Sequence, residues 1–283
     1  MFRYRSFGLS IQSELEFPDL PPAHEEPDVF IRLGSVDRTI RKATLHEEVG
    51  FNELAGAFHI KNGNEIVVDP LPGVKADLLR VLILGRMMAF LMRQRGWLSL
   101  HASGVVINGH TVLFLGESGS GKSTTSAAFH VCGCPVVTDD VGAVRVVDGR
   151  CVVCRVGSRL RLLSDARTVL RGAVPEGSLE WDKYSYDLQT GIALADVLPV
   201  SRIYVLEYGD RLESSRMSEL AAVAFLSTHS FIKRRRMDSA ALESHLRDCC
   251  SVASVAPLFR LSRTRSLHAL PELAVWVQED VKT

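Results

Sequence analysis

The sequence predicts a mixed α/β fold in two parts: a β-rich front with one buried helix over residues 1–96, and an α/β unit over residues 97–283. Three observations predict it. Short apolar runs alternate with turn clusters through the first 75 residues. A glycine-rich loop at Gly116–Ser123 stands between an apolar strand run and a helical run. The apolar runs in the middle of the chain are joined by Asn108–Gly109 and Asp148–Gly149, the pairs that tolerate positive φ in two-residue hairpins. The 283 residues suit one large domain or two small ones.

In order, Phe7–Ile11, Val29–Leu33, Phe58–Ile60 and Ile66–Val68 read as strands. Pro18–Pro22, Asn62–Asn64 and Asp69–Gly73 supply the turns between them. Lys75–Arg95 reads as one helix, apolar nearly all round and therefore buried, with Gly96 at its C′ position. Two strands flank Asn108–Gly109, a helix runs over Ser123–Cys132, and Pro135–Thr138 is a third strand ending in Asp139–Asp140. Val141–Val147 and Cys151–Val156 form a second hairpin. Leu160–Leu170 reads as a helix and Arg171–Gly191 as a polar loop. Arg202–Leu206 and Leu258–Leu261 read as strands, and Glu219–Phe231, Ser239–Val252 and Leu270–Asp280 as helices. There is no internal repeat and no low-complexity tract.

Composition narrows the function classes. Lys+Arg and Asp+Glu are 33 each, so the neutral chain has no global attraction to nucleic acid, and none is expected as a partner. With 46% hydrophobic and 23% charged residues, a packed core is expected rather than disorder. The most apolar stretch, Val81–Met92, is interrupted by Arg86, so no membrane span is expected. The first residues lack the apolar run of a secretory signal, and the six cysteines form no secreted framework, so reduced thiols and a cytoplasmic location are expected. Cys151 and Cys154 have no second pair at zinc spacing. On a strand their sulfurs point to opposite faces, which suits core packing. The histidines show no metal-ligand spacing.

Gly116-Glu117-Ser118-Gly119-Ser120-Gly121-Lys122-Ser123 matches GxxxxGK[ST] at every fixed position. The glycines let several backbone N–H groups point into one concavity that suits phosphate oxygens. Lys122 adds positive charge near the β- and γ-phosphates, the Ser123 hydroxyl is suited to Mg²⁺, and the helix that continues through Thr124 directs its dipole at the anion. If Asn108–Gly109 are the central residues of a tight turn, Ile107 faces His110, and the same register puts His101 opposite Gly116, beside the phosphates. The bland alternative for a lone histidine is a structural hydrogen bond at a strand end. Asp139 and Asp140 close the strand after the helix, the position from which a carboxylate holds Mg²⁺ in phosphate-loop enzymes. One can orient the metal while the other accepts a proton from an attacking hydroxyl.

The segment from His101 through Thr125 to Asp140 resembles the catalytic domain of HPr kinase/phosphorylase, where a histidine, a GxSGxGKS loop and an Asp-Asp pair follow one another at this spacing. Lys122 lies 21 residues after His101, and Asp140 lies 18 after Lys122. The hairpin entering the loop is similar to that family and to PEP carboxykinase. The resemblance implies a P-loop kinase core of that type, using ATP or another NTP with Mg²⁺. It implies a catalytic set of His101, Lys122, Asp139 and Asp140, with Asp140 the proton acceptor from a serine hydroxyl. Residues Gly116 to Thr124 would contact the nucleotide, and Ser123 and Asp139 the metal. The front, FRYRSFGLSIQSELEFPDLP, and the tail segments Leu258-Phe-Arg-Leu and Leu270-Pro-Glu-Leu are similar to a shorter HPr-kinase-related group. Some of that group are encoded with lasso-peptide biosynthesis and phosphorylate the precursor peptide on its C-terminal serine. The resemblance therefore implies a peptide or small-protein partner with an acceptor serine. The longer members are hexameric, which leaves a homo-oligomer open.

Lys183, in Trp181-Asp-Lys-Tyr-Ser-Tyr, suits a phosphate or substrate contact as well as it suits an exposed loop lysine. Lys233-Arg-Arg-Arg236 reads as a solvated charge run before it reads as an anion site. The leading expectation is an ATP- and Mg²⁺-dependent serine kinase. The alternatives are a nucleotide-binding sensor or scaffold, for which a second aspartate is superfluous, an HPr-type kinase/phosphorylase, and a small-molecule kinase or carboxykinase. The chain has no LSGGQ-like segment, which disfavours an ABC-type ATPase.

Overall fold

The computed structural model describes residues 1–282 apart from 38, 40–42, 158, 171–173, 175–176, 181–182, 189–191 and 232–235. It is a mixed α/β protein whose described strands form three sheets.

The first sheet is built from β1 (Phe2–Ser6), β2 (Leu9–Ser13), β3 (Val29–Leu33), β4 (Glu47–Asn52), β5 (Gly56–Lys61) and β6 (Glu65–Pro70), in the order β1-β2-β3-β6-β5-β4. The run Phe7–Ile11 is not one strand. Phe7 and Gly8 both have positive φ and make the two-residue turn that pairs Ser6 with Leu9. Phe7 accepts that backbone geometry with its ring buried.

The expected long helix is present with a change of pitch. It runs as α1 (Ala76–Leu82), a π-helical turn (Ile83–Met87) and α2 (Met88–Gln94), and Gly96 follows at φ 78°. It is apolar nearly all round because it is covered on both sides. Ile83, Met87, Met88 and Leu91 share one core with Ile11, Phe58 and Ile66 of the first sheet and with Val141 and Ala143 of the second.

The second sheet carries the Gly116–Ser123 segment. It comprises β7 (Leu98–His101), β8 (Ser103–Ile107), β9 (His110–Leu115), β10 (Val136–Thr138), β11 (Val141–Val147), β12 (Arg150–Cys154) and, further along the chain, β16 (Val197–Tyr208), in the order β10-β8-β9-β16-β12-β11-β7. Strands β9 and β16 run parallel, and their apolar runs are buried on both faces. Val112 and Phe114 join one core with α3 (Lys122–Val131), while Leu113 and Leu115 join the core on the opposite face. Cys151 and Cys154 likewise lie in different cores, and burial pushes both thiols up to about 12.

Two expectations between residues 159 and 191 are corrected. The segment read as a helix over Leu160–Leu170 is β13 (Arg159–Leu162) followed by a 3-10 turn at Ala166–Leu170. The alternation Arg-Leu-Arg-Leu is a strand period, with Leu160 and Leu162 buried. The expected loop contains β14 (Ser178–Glu180) and β15 (Lys183–Asp187), which form a third sheet in the order β13-β15-β14.

The remaining elements are β17 (Glu213–Arg216), α4 (Glu219–Thr228), α5 (Ser239–Val255), β18 (Leu258–Arg263) and α6 (Leu270–Asp280). Strand β18 runs parallel to β16 and carries β17 at its edge. Arg202 and Tyr204 of β16 both bind the Asp280 carboxylate, fastening α6 to the sheet. Among the described residues, no helix is long and apolar enough to cross a membrane.

Candidate nucleotide and phosphoryl-transfer site

The Asn108–Gly109 turn forms with Ile107 opposite His110, as its residues predict. The pairing it sets ends at Ser103 opposite Phe114, so it does not carry His101 to Gly116. The chain leaves that ladder at Ala102, and β7 pairs instead with β11, placing His101 opposite Val141. The strand after Thr138 makes the same crossing, from β10 beside β8 to β11 beside β7. The Thr138 hydroxyl donates to the Val141 carbonyl across this turn, and Ala102 N–H donates to the Asp140 carbonyl at 3.3 Å. The sheet therefore splits at one level, and the split brings Asp139, Asp140 and His101 together, each half-buried. A crevice where neighbouring strands part is a common ligand position in α/β sheets.

At that crevice His101 Nδ1 lies 2.9 Å from Asp140 Oδ1 and 3.1 Å from the Asp140 carbonyl. The Phe231 ring meets the imidazole edge-on at 5.7 Å. Asp140 holds φ 74°, a left-handed geometry that aspartate tolerates better than most residues. Burial alone would raise its pKa, but the His101 hydrogen bond and the charges of His101, Lys183 and Arg161 hold it below the usual carboxylate range. Asp139 is the opposite case, raised by burial. Its Oδ1 accepts from Ser123 Oγ at 2.8 Å and its Oδ2 from Arg161 N–H at 2.9 Å. Two adjacent carboxylates thus have their pKa values pushed apart, the arrangement that separates two roles.

The loop itself has Gly116, Gly119 and Gly121 at positive φ. Lys122 folds back so that Nζ donates to the carbonyls of Gly116 (2.9 Å) and Glu117 (3.0 Å). Burial lowers the Lys122 pKa to about 8, against the opposing pull of Asp140 and Asp139. A cavity of about 360 Å³ opens over the loop. Ser118, Gly119, Gly121, Lys122, Ser123 and Thr124 line it on one side, and His101, Arg161 and Lys183 face it from others. Lys183 is thus a strand residue at the cavity, opposite Glu180 in the β14–β15 pairing. Ser120 is buried beneath the loop. Glu117 bends the other way, its carboxylate 2.8 Å from His229 Nε2 at the end of α4.

Several contributors were not legible in the motif. Tyr208, at the end of β16, donates to the Gly119 carbonyl at 3.0 Å. Arg263, at the end of β18, donates to the Ser120 carbonyl at 2.8 Å and lies against Gly121. Both brace the loop from strands distant in sequence. Gly85, in the π-helical turn, lies against Asp140, where an added Cβ would sit 3.1 Å from Oδ2. The signal for Arg161 was present in the Arg-Leu-Arg-Leu alternation once it is read as a strand. Of the basic run, 233–235 lie outside the described residues, as do 181 and 182 before Lys183. Arg236 donates to the Val49 carbonyl at 2.7 Å, joining the chain to the first sheet.

Ser123 Oγ and Asp139 Oδ1 are hard oxygen donors side by side, a set that fits Mg²⁺ when phosphate oxygens and water complete the shell. Among the described residues, no three or more His, Cys, Asp or Glu side chains gather as a separate metal cluster.

These features define a mixed α/β protein with an anion-suited loop facing a carboxylate pair. No protein-family model and no curated protein matches the chain. Among solved structures it is similar to the HPr(Ser) kinase/phosphatase from Coxiella burnetii, with 13% identity over 64% of this chain and 95% of that one, at a TM-score of 0.38.

Proposed function

We propose that the protein is an ATP- and Mg²⁺-dependent kinase that transfers the γ-phosphoryl group to a serine hydroxyl of a peptide or small protein. The observation that carries this reading is the pairing of Asp140 with His101 at the rim of the loop cavity, beside a second carboxylate already engaged by Ser123. A module that only binds nucleotide has no use for an ionised carboxylate held next to the metal ligand. That contrast favours catalysis over a sensor or scaffold.

In this reading the Gly116–Ser123 backbone cradles the phosphates, and Lys122 leaves its own carbonyls to neutralise them. Ser123 and Asp139 would hold Mg²⁺, which when bound supplies charge neutralisation at phosphate oxygens. The acceptor oxygen forms a bond to the γ-phosphorus while ADP departs with the bridging oxygen. The hydroxyl proton passes to Asp140, and His101 holds that carboxylate in place. Tyr208 and Arg263, which also line the loop cavity, keep the loop shape.

The test is phosphotransfer from labelled ATP and Mg²⁺ to a panel of serine peptides and to HPr, read by mass spectrometry. Phosphoserine formed by the wild type and lost in Asp140→Asn is expected. Tight Mg·ATP binding without transfer to any acceptor would favour the sensor reading.

A further inference from the structure

A second cavity, of about 560 Å³, lies beyond the aspartate pair. Asp139, Asp140 and Arg161 border it, and Arg161 also lines the loop cavity. Arg161 lines both spaces, and the two carboxylates of the second reach the first through Ser123 and His101, which line the loop cavity. The second space is assembled from distant parts of the chain. Pro18–Pro21 come from the first-sheet region, Val81, Leu84 and Gly85 from the helix with the π-turn, and Ile192–Leu194 from the approach to β16. Its wall mixes apolar side chains with three arginines (Arg155, Arg159, Arg161) and four aspartates (Asp19, Asp139, Asp140, Asp187). Leu20, Leu84, Val136, Val156 and Leu188 supply the apolar part. Of the arginines, Arg159 is engaged by Asp19 at 3.4 Å and by the Ser185 hydroxyl at 2.6 Å. Among the described residues the Arg155 guanidinium makes no hydrogen bond or ion pair within 4 Å; the charge it feels is that of Asp196, whose carboxylate Arg5 binds.

We infer that this second cavity is the acceptor pocket, and that it takes a serine flanked by an apolar side chain and by a carboxylate that reaches Arg155. The inference rests on the phosphoryl-transfer reading, and three observations lead to it. The pocket shares Asp140 with the transfer site, so a hydroxyl entering from this side meets the carboxylate that takes its proton, while its oxygen bonds to phosphorus and ADP leaves. The walls offer apolar area to a side chain, and removing apolar surface from water favours binding. A guanidinium whose fork holds no close ion pair, at the wall of this mixed pocket, favours a planar anion, because the fork matches a carboxylate in two places. The pocket also gives the front of the chain a task, since Pro18–Pro21 close one side of it.

The experiment offers a degenerate library of Xaa-Xaa-Ser-Xaa-Xaa peptide amides to the wild type and to two variants outside the transfer machinery. Ala193→Trp fills the pocket from an exposed position, and Arg155→Glu reverses the charge of its wall arginine. Wild-type phosphopeptides are expected to be enriched in Leu, Ile, Val or Phe and in Asp or Glu beside the serine. Ala193→Trp is expected to raise KM for a selected peptide at least tenfold with the Mg·ATP Kd within twofold of wild type. Arg155→Glu is expected to lose the acidic preference and keep the apolar one. Transfer without these enrichments, or an unchanged KM in Ala193→Trp, overturns the pocket and leaves the kinase standing. If the wild type binds Mg·ATP yet phosphorylates nothing, the transfer reading fails, and the same library is equilibrated with protein and Mg·ADP and recovered by ultrafiltration. Serine peptides retained by the wild type and released by Ala193→Trp would keep the pocket; equal retention, or none, would overturn it.

Discussion

At the residue scale, the site works through contrasts between neighbours. Asp139 and Asp140 are adjacent in sequence, yet burial raises one while His101 and nearby cations lower the other. Asp140 therefore stays ionised at neutral pH, and Asp140→Asn should reduce transfer by about 10²–10⁴-fold while leaving Mg·ATP affinity within a few fold. Single-turnover rates alongside nucleotide titrations check this. Lys122 carries its own pH signature. Burial lowers its pKa to about 8, and a bound polyphosphate favours the charged form, so binding takes up a proton once pH exceeds that value. Nucleotide affinity should fall as pH rises from 8 to 10. In Lys122→Arg, whose guanidinium stays charged, the fall should disappear; isothermal titration in buffers of different ionisation enthalpy reads the proton uptake directly. The charged ammonium explains the motif's lysine, but nothing in the motif announces Arg263 or Tyr208, because their contacts to Ser120 and Gly119 depend on strands that meet only in the folded sheet.

At the element scale, turns and strand ends place the chemistry. The loop glycines are not equivalent. Gly119 and Gly121 both have φ near +83°, but a Cβ on Gly121 would lie 2.3 Å from Arg263 Nη2, whereas one on Gly119 meets nothing within 4 Å. Gly119→Ala should carry only the left-handed backbone cost of about 1–2 kcal/mol. Gly121→Ala should in addition displace Arg263 and weaken nucleotide binding at least tenfold more, as fluorescent-nucleotide titration would show. The two-residue turns were legible because Asn-Gly and Asp-Gly declare positive φ locally. The His101 position was misjudged for the converse reason. Hairpin register propagates only while two strands stay paired, and Ala102 ends the pairing. Residues 159–187 were misread because Arg-Leu-Arg-Leu is short, and its strand partners lie in a polar segment with little periodicity of its own.

At the scale of the whole molecule, the helix with the π-turn couples the front sheet to the site. Its core side touches Phe58 and Ile66, and its Gly85 touches Asp140. Ile83 is fully buried between the sheets, so Ile83→Ala should destabilise the protein by about 2–5 kcal/mol in a denaturant titration. A buried ion pair lies in the same junction. Glu48 is wholly buried with neither oxygen hydrogen-bonded among the described residues, and Arg93 stands 3.7 Å away. Burial raises the Glu48 pKa to about 7 from an ordinary 4.5. The folded state then holds a proton that the unfolded state releases, so stability should fall as pH rises from about 4.5 to 7 and level off above that. Glu48→Gln should abolish that slope, measured as Tm against pH; an unchanged slope would assign it to another group. Such a junction was not visible in the sequence, because Glu48 and Arg93 are 45 residues apart and carry no motif.

The most direct measurement is a crystal structure of the protein with Mg²⁺ and a non-hydrolysable ATP analogue. The account predicts the triphosphate on the Gly116–Ser123 backbone, Lys122 released from the Gly116 and Glu117 carbonyls, and the γ-phosphoryl directed at Asp139 and Asp140. A nucleotide seated elsewhere, or a γ-phosphoryl turned away from Asp140 with Lys122 still bound to its own loop, would contradict it.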